Sequence, residues 1–552
     1  MTNTKKKPIT TLLAVGLLLG ACSGADQVEA GVDPGGTDTA SHPSIPSENT
    51  EMAGTPEPRD DFVADTTMEN PVPPREADDR PYDTNFRGYE ENEPTDPTDD
   101  AESTFAVDVD TGSYTLLRGW LDEGYQPPPE AVRPEEYINF FNLGYETPDD
   151  DTFAIHVDGT ESPYYDSTLV RIGIAAKDIE AEERPDVNLT LVVDTSGSME
   201  EDNRLELVKE SIEYLVGELR EEDRIAIVEY SEDARVVLES TPVDDDEEIL
   251  DAVDSLQPRA STNAAAGLEL GYQLTDETYV EDDSNMVVLL SDGVANVGAD
   301  TPGGILETLA EANENGISLL TVGVGLGNYN DELMEQLANR ADGQYRYVDT
   351  LDEVERIFGR DLVGSIVTVA KDAKVQVSFD SENVESYRLI GYENRDVADR
   401  DFERDDVDAG EIGSGHTVTA LYEVEIRDDA VGKLGEVQFR WADPDSGEVT
   451  EVNEPIYSDA VSAEWDDASP HLRLAATVGA FAEWIGDREA AEDIDYDDID
   501  DNIDDLETEL ESSDVSVQRP RPPGGRGVLR SRFLEGSAAW GLGPLDASGV
   551  SR

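Results

Sequence analysis

Leu189-Thr190-Leu191-Val192-Val193-Asp194-Thr195-Ser196-Gly197-Ser198-Met199 decides the fold of this chain. Its first five residues form a short, continuous run of apolar and β-branched side chains, the pattern of a strand buried on both faces. Asp194, Ser196 and Ser198 follow on a glycine-containing turn, so one carboxylate and two hydroxyls stand at the carboxyl end of that strand. In open α/β sheets, ligands bind in the crevice at that end.

Outward from this stretch, apolar periodicity predicts a helix over 204–219, a strand over 224–230 and a paired run over 234–238. Helices over 247–256 and 264–274 follow, then a buried strand over 286–290, a helix over 305–313 and a strand over 317–323. Helices over 332–341 and 351–358 complete the series. The alternation predicts an α/β fold: a doubly wound, Rossmann-like domain with a parallel sheet, over residues 185–366.

Two further loops belong to the same sheet edge. Ser261-Thr262-Asn263 opens a helix and offers the Thr262 hydroxyl, and Leu290-Ser291-Asp292-Gly293 closes a buried strand and offers Asp292. Hard oxygen donors of this kind suit Mg²⁺, which takes six oxygens at about 2.1 Å and tends to retain waters. Mn²⁺ and Ca²⁺ fit the same donors.

With these residues the chain resembles the von Willebrand factor type A family, whose five metal-site positions are matched one by one by Asp194, Ser196, Ser198, Thr262 and Asp292. The resemblance implies a divalent cation held partly through water, whose octahedron is completed by a carboxylate from a partner. It therefore implies metal-dependent, adhesion-type protein binding rather than catalysis. The likeness extends to a bacterial subgroup, the YfbK-like proteins. Ser103-Thr104-Phe105, the run from Asp108 to Tyr114 and the run from Pro127 to Phe141 are similar to that subgroup's N-terminal domain. Tyr387 to Arg395 and Asp408 to Leu421 are similar to its C-terminal domain, and the likeness ends after Asp487.

Period-two patterning on either side of the α/β region predicts β-rich domains over 101–184 and 367–486, the second closed by a helix over 471–485. Residues 23–100 are poor in large apolar side chains and are expected to form a disordered acidic linker. Residues 487–552, acidic and then Arg-rich, are expected to be disordered as well.

Charge narrows the function classes. The 128 Asp and Glu against 39 Lys and Arg give a formal charge of -89, which repels nucleic acid. Only eight residues are Lys, and the acids are spread along the chain rather than grouped at ligand spacing. The composition therefore points to life in strong brine, where self-repulsion is screened, in preference to a calcium-loading protein.

Cys22 is the single cysteine. Lys5 to Lys7, the apolar run over 9–19 and Leu19-Gly20-Ala21-Cys22 form a lipoprotein signal over 1–22. That apolar run is too short to span a bilayer core of about 30 Å. Diacylglycerol on the Cys22 thiol would tether an exported protein to the cell envelope, and Ser23 favours the outer membrane in the Gram-negative pattern.

Asp110-Thr111-Gly112 resembles an aspartic-protease triplet, but that chemistry needs two carboxylates sharing a proton and no second triplet exists. The acidic run over 493–498 lacks the glycine of a calcium loop, and His42, His156, His416 and His471 are scattered. No catalytic residue is expected. The expected partner is a protein or envelope component presenting an acidic group. One alternative is an assembly lipoprotein whose metal site docks its own flanking domains; another is a metal-dependent hydrolase or aspartic protease.

Overall fold

A computed structural model describes residues 86–513 except 108–109, 123–124, 260, 282, 294–315, 326–330, 340, 342, 406, 408, 445 and 462. Cys22, the linker as far as 85, the expected helix over 305–313 and the Arg-rich tail lie outside the described residues.

The chain opens with β1 (Glu102–Ala106), α1 (Gly112–Asp122), α2 (Pro134–Phe140), β2 (Phe153–Glu161) and β3 (Thr168–Ala176). The α/β region follows as β4 (Val187–Asp194), α3 (Arg204–Glu218), β5 (Arg224–Tyr230), β6 (Ala234–Pro242), α4 (Asp246–Asp254) and α5 (Ala264–Glu277). It continues through β7 (Ser284–Ser291), β8 (Ile317–Val324), α6 (Asp331–Asn339), β9 (Gln344–Val348), α7 (Leu351–Glu355) and α8 (Leu362–Ile366). Last come β10 (Thr368–Phe379), β11 (Val384–Ile390), β12 (Gly410–Gly413), β13 (Thr417–Ile426), β14 (Lys433–Ala442) and β15 (Val449–Tyr457), then α9 (Pro470–Ile485) and α10 (Tyr496–Ser513).

The α/β region is a six-stranded sheet in the order β6-β5-β4-β7-β8-β9, parallel throughout except for the antiparallel edge strand β6. Every residue of β4 is buried because helices cover both faces. Leu189, Leu191 and Val193 join the core that includes α3 and α4, whereas Val192 faces the core that includes α5. Asn263 caps α5 by accepting from the Ala266 N–H, and glycine lets that helix approach the sheet closely: a Cβ on Gly271 would overlap Val192.

The flanking regions differ from the expected pair of separate β-rich domains. β1 pairs with β10, and β3 pairs with β13, so each sheet draws strands from both sides of the α/β region. One sheet has the order β1-β10-β14-β15 with β12 beside β10, and the other is β11-β13-β3-β2. Their inner faces share one core, in which Val170, Ile172 and Ile174 meet Val375, Val377 and Phe439. The 101–184 stretch supplies too few strands to close a sheet alone, so the α/β domain is inserted into a composite sandwich.

A helical layer built from α1, α2, α9 and α10 packs on Leu169, Ile390 and Leu421. Here too the structure departs from expectation, because part of the acidic segment after 487 is helical. Ile499, Ile503 and Leu506 form one buried stripe of α10, at the i, i+4, i+7 spacing that the surrounding carboxylates obscure. The end of the expected linker is ordered too. Thr95 pairs with Tyr387 through the backbone, and the Asn92 amide donates to the carbonyls of Leu389 and Gly391.

Candidate metal centre

Asp194 ends β4, and the parallel register sets Tyr230 of β5 beside it. Val193 pairs with Leu290, so the next step along the ladder sets Ser291 on its other side. Asp194 is fully buried and accepts three hydrogen bonds: from the Ser196 N–H (2.8 Å), the Tyr230 hydroxyl (3.1 Å) and the Ser291 hydroxyl (2.8 Å). The carboxylate is thus aimed before any ligand arrives. Burial, and then the nearby Asp292 carboxylate, push the Asp194 carboxyl up to about 6.

The turn after Asp194 brings the Ser196 and Ser198 hydroxyls within 3.0 Å of one another. Ser196 is buried and Ser198 half-buried, with exposed Gly197 between them. Thr262 is buried immediately before α5. Its loop is tied to the same turn, since the Arg259 N–H donates to the Thr195 carbonyl (2.6 Å) and a Cβ on Gly197 would press on the Arg259 carbonyl. Asp292, directly after β7, is 1% exposed, and its carboxylate receives the Arg204 guanidinium at 3.1 Å. All five residues singled out in the sequence therefore stand at the carboxyl edge of the parallel sheet, Asp194 at the end of its strand and the other four beyond strand ends or before a helix.

Tyr230, Ser291 and Arg204 belong to this cluster and were not singled out by the sequence. Tyr230 and Ser291 could have been found from the strand register around Asp194, but Arg204 carries no marker beyond its place at the start of a helix.

Two buried carboxylates within electrostatic reach of each other are unfavourable unless a cation or a proton offsets them. The hydroxyls of Ser196 and Ser198 add neutral oxygens, so the donor chemistry fits a hard divalent cation. Among the described residues no group of three or more His, Cys, Asp or Glu side chains is placed to hold a metal ion. A cation here would rest on two carboxylates supplemented by hydroxyls.

The protease-like triplet has a different environment. Asp110 is 3% exposed; its Oδ1 accepts from the Tyr345 N–H of β9 (3.0 Å) and its Oδ2 from Arg395 (3.2 Å), with Arg346 at 3.6 Å. Thr111 accepts from Arg356 (2.9 Å), and a Cβ on Gly112 would strike the Tyr345 ring. The triplet therefore locks α1 onto the edge of the α/β sheet.

Residues 188–360 match the family described as von Willebrand factor type A domain, and residues 80–171 match one described as von Willebrand factor. Residues 364–519 match the family described as Uncharacterized protein YfbK, C-terminal. Uncharacterized protein YfbK of Escherichia coli (strain K12) is 36% identical over 426 residues, covering 72% of this chain and 73% of that protein. Uncharacterized protein sll0103 of Synechocystis sp. is 26% identical over 300 residues, covering 52% of this chain and 69% of that protein. Among solved structures, von Willebrand factor type A from Catenulispora acidiphila shares 17% identity, with a TM-score of 0.39 over 68% of this chain and 89% of that one.

Proposed function

Because this chain belongs to the family of Uncharacterized protein YfbK, with a von Willebrand factor type A domain at its centre, we propose that it is a divalent-metal-dependent protein-binding module of the cell envelope. The observation that carries this reading is the pairing of buried Asp194 and Asp292 at the carboxyl edge of the sheet, with the Ser196 and Ser198 hydroxyls beside them. Asp194, Ser196, Ser198, Thr262 and Asp292 would hold the ion, with Mg²⁺ the best match for their oxygen chemistry. A bound dication supplies an electrophilic position for a carboxylate of the partner. The chain's own residues do the rest: Tyr230 and Ser291 aim Asp194, and the Arg259 loop steadies the serine turn. Export and a diacylglycerol anchor on Cys22, in the outer membrane of a Gram-negative cell, complete the proposal.

Calorimetry on the full-length protein tests it. Asp194 is buried and hydrogen-bonded, so Asp194→Asn, which keeps its shape, is the better probe than truncation to Ala. Asp194→Asn should weaken Mg²⁺ and Mn²⁺ binding at least about tenfold, and more than Ser196→Ala does. Equal binding by wild type and Asp194→Asn would remove the metal assignment. A variant that loses metal yet captures the same envelope proteins in Mg²⁺ as in chelator would favour the assembly role instead.

A further inference from the structure

Helix α3 begins with a guanidinium buried against the second carboxylate of the cluster. Arg204 is 4% exposed, and its Nη1 donates both to Asp292 Oδ2 (3.1 Å) and to the Ser198 carbonyl (3.3 Å). The side chain passes over Gly325, which follows β8 with φ +77, and any Cβ there would overlap Arg204. Loops after β4, β7 and β8 thus meet on one cation of the protein itself. Glu201, 69% exposed, also lies 3.9 Å from it, and solvent screens that contact.

Asp194 and Asp292 alone would balance a dication. With Arg204 counted, these three side chains together carry a single net negative charge before metal binds and a single net positive charge afterwards. Three effects follow from the same guanidinium. It replaces part of the metal's charge when the ion is absent, it opposes the ion when it arrives, and it leaves the loaded site attractive to an anion.

We propose that Arg204 is the standing counter-ion of the cation site: a positioning residue that holds Asp292 and the Ser198 turn when no metal is bound, and that makes the loaded site net positive towards an incoming carboxylate. This rests on the metal reading above and adds how the site stays ordered without metal and why it selects an anionic partner.

Arg204→Gln and Arg204→Lys in the full-length protein test it, with Mn²⁺ as the probe. A unit charge several ångströms from a dication changes an equilibrium constant on the order of tenfold even at the dielectric of water. Arg204→Gln should therefore bind Mn²⁺ about tenfold more tightly than wild type. It should also melt lower than wild type in chelator and recover most of that loss in saturating Mn²⁺. Arg204→Lys keeps the charge but not the planar fork, so its Mn²⁺ affinity should stay within about twofold of wild type. Wild type that binds Mn²⁺ while Arg204→Gln binds it no more tightly overturns the role of Arg204 alone. Should Arg204→Gln fail to fold, Arg204→Lys decides, because a tenfold gain there would refute the charge role. Wild type that binds no Mn²⁺ overturns this inference together with the metal reading beneath it.

Discussion

Glu135, on α2, gives the molecule a pH dependence that one substitution isolates. It is 1% exposed, and neither carboxyl oxygen makes a well-formed hydrogen bond. The carboxyl lies against the backbone of Gly391, where a Cβ would overlap Oε2. Burial, and then the carboxylates of Glu393 and Glu136, push it up to about 8, an effect that the Tyr392 N–H only partly offsets. Arg488 pairs with Glu393 and Arg133 with Glu136, so the nearby cations are already engaged by other carboxylates.

Below pH 4.5, the ordinary glutamate value, folded and unfolded chains both keep this proton and the site has no effect on stability. Between 4.5 and about 8 the unfolded chain has lost the proton and the folded chain retains it. Each pH unit in that window then lowers stability by about 1.4 kcal/mol. Above about 8 both states are ionised and the loss is complete. The full window sets a ceiling of about 5 kcal/mol, and relaxation around the buried carboxylate should leave roughly 2–4 kcal/mol. Glu135→Gln keeps the shape without the charge. Urea unfolding of both proteins at fixed KCl, from pH 5 to pH 8, should show wild type losing that much relative to the variant. The difference between the two curves cancels carboxylates that do not act on Glu135, Asp194 included, and reports Glu135 together with its neighbours Glu393 and Glu136. Parallel curves across the window would refute the reasoning.

Three further outcomes are expected. Gly271→Ala should lower the melting temperature although alanine is the better helix former by about 1 kcal/mol, because its methyl overlaps Val192 and overpacking costs about 1–3 kcal/mol; a higher melting temperature would contradict this. Asp110→Ala should destabilise by about 3–5 kcal/mol in urea, since it strips the Tyr345 N–H and Arg395 of a buried partner; a change below about 1 kcal/mol would show that the latch is not needed. Cys22→Ser should abolish metabolic labelling with a radiolabelled fatty acid, and undiminished labelling would exclude the lipid anchor.

The central sheet was legible because strands covered on both faces read as short apolar runs. The expected strand over 224–230 coincides with β5, and those over 286–290 and 317–323 lie within β7 and β8. β9 escaped notice: Gln-Tyr-Arg-Tyr-Val mixes charge with aromatics, and part of its burial comes from α1, more than two hundred residues earlier in the chain, alongside α6. The composite sandwich was hidden for the same reason. Glu102 pairs with Ser378, and Thr168 with Val424, across the whole inserted domain, and local periodicity carries no record of such partners. At the site, Asp194, Ser196, Ser198, Thr262 and Asp292 could be read from their places at the ends of elements. Tyr230, Ser291 and Arg204 act through cross-strand register and through a loop meeting a helix end, which appear only once the sheet is assembled.

The insertion also bears on whether the proposed cation site would face an outside partner or the protein's own flanks. The α/β domain begins and ends beside the first residue of β7. The Ser284 N–H donates to the Asp186 carbonyl (2.9 Å), just before β4, and its hydroxyl donates to the Ile366 carbonyl (2.8 Å), where α8 ends. Both connections to the sandwich therefore leave from the amino edge of the sheet. β4 spans eight residues, which at about 3.3 Å each places the metal loops on the order of 25 Å away at the opposite edge. The lateral clamps use other elements: Asp110 holds β9, Arg118 pairs with Asp349 and Glu353, and Thr111 receives Arg356. The three hydrogen bonds to Asp194 all come from inside the α/β domain. If the site served to dock the flanks, Asp194 would be expected to meet them. Among the described residues, the arginine pairs that fix the flanks use elements other than the loop of Asp194, an arrangement in keeping with the proposal that the ligand arrives from outside.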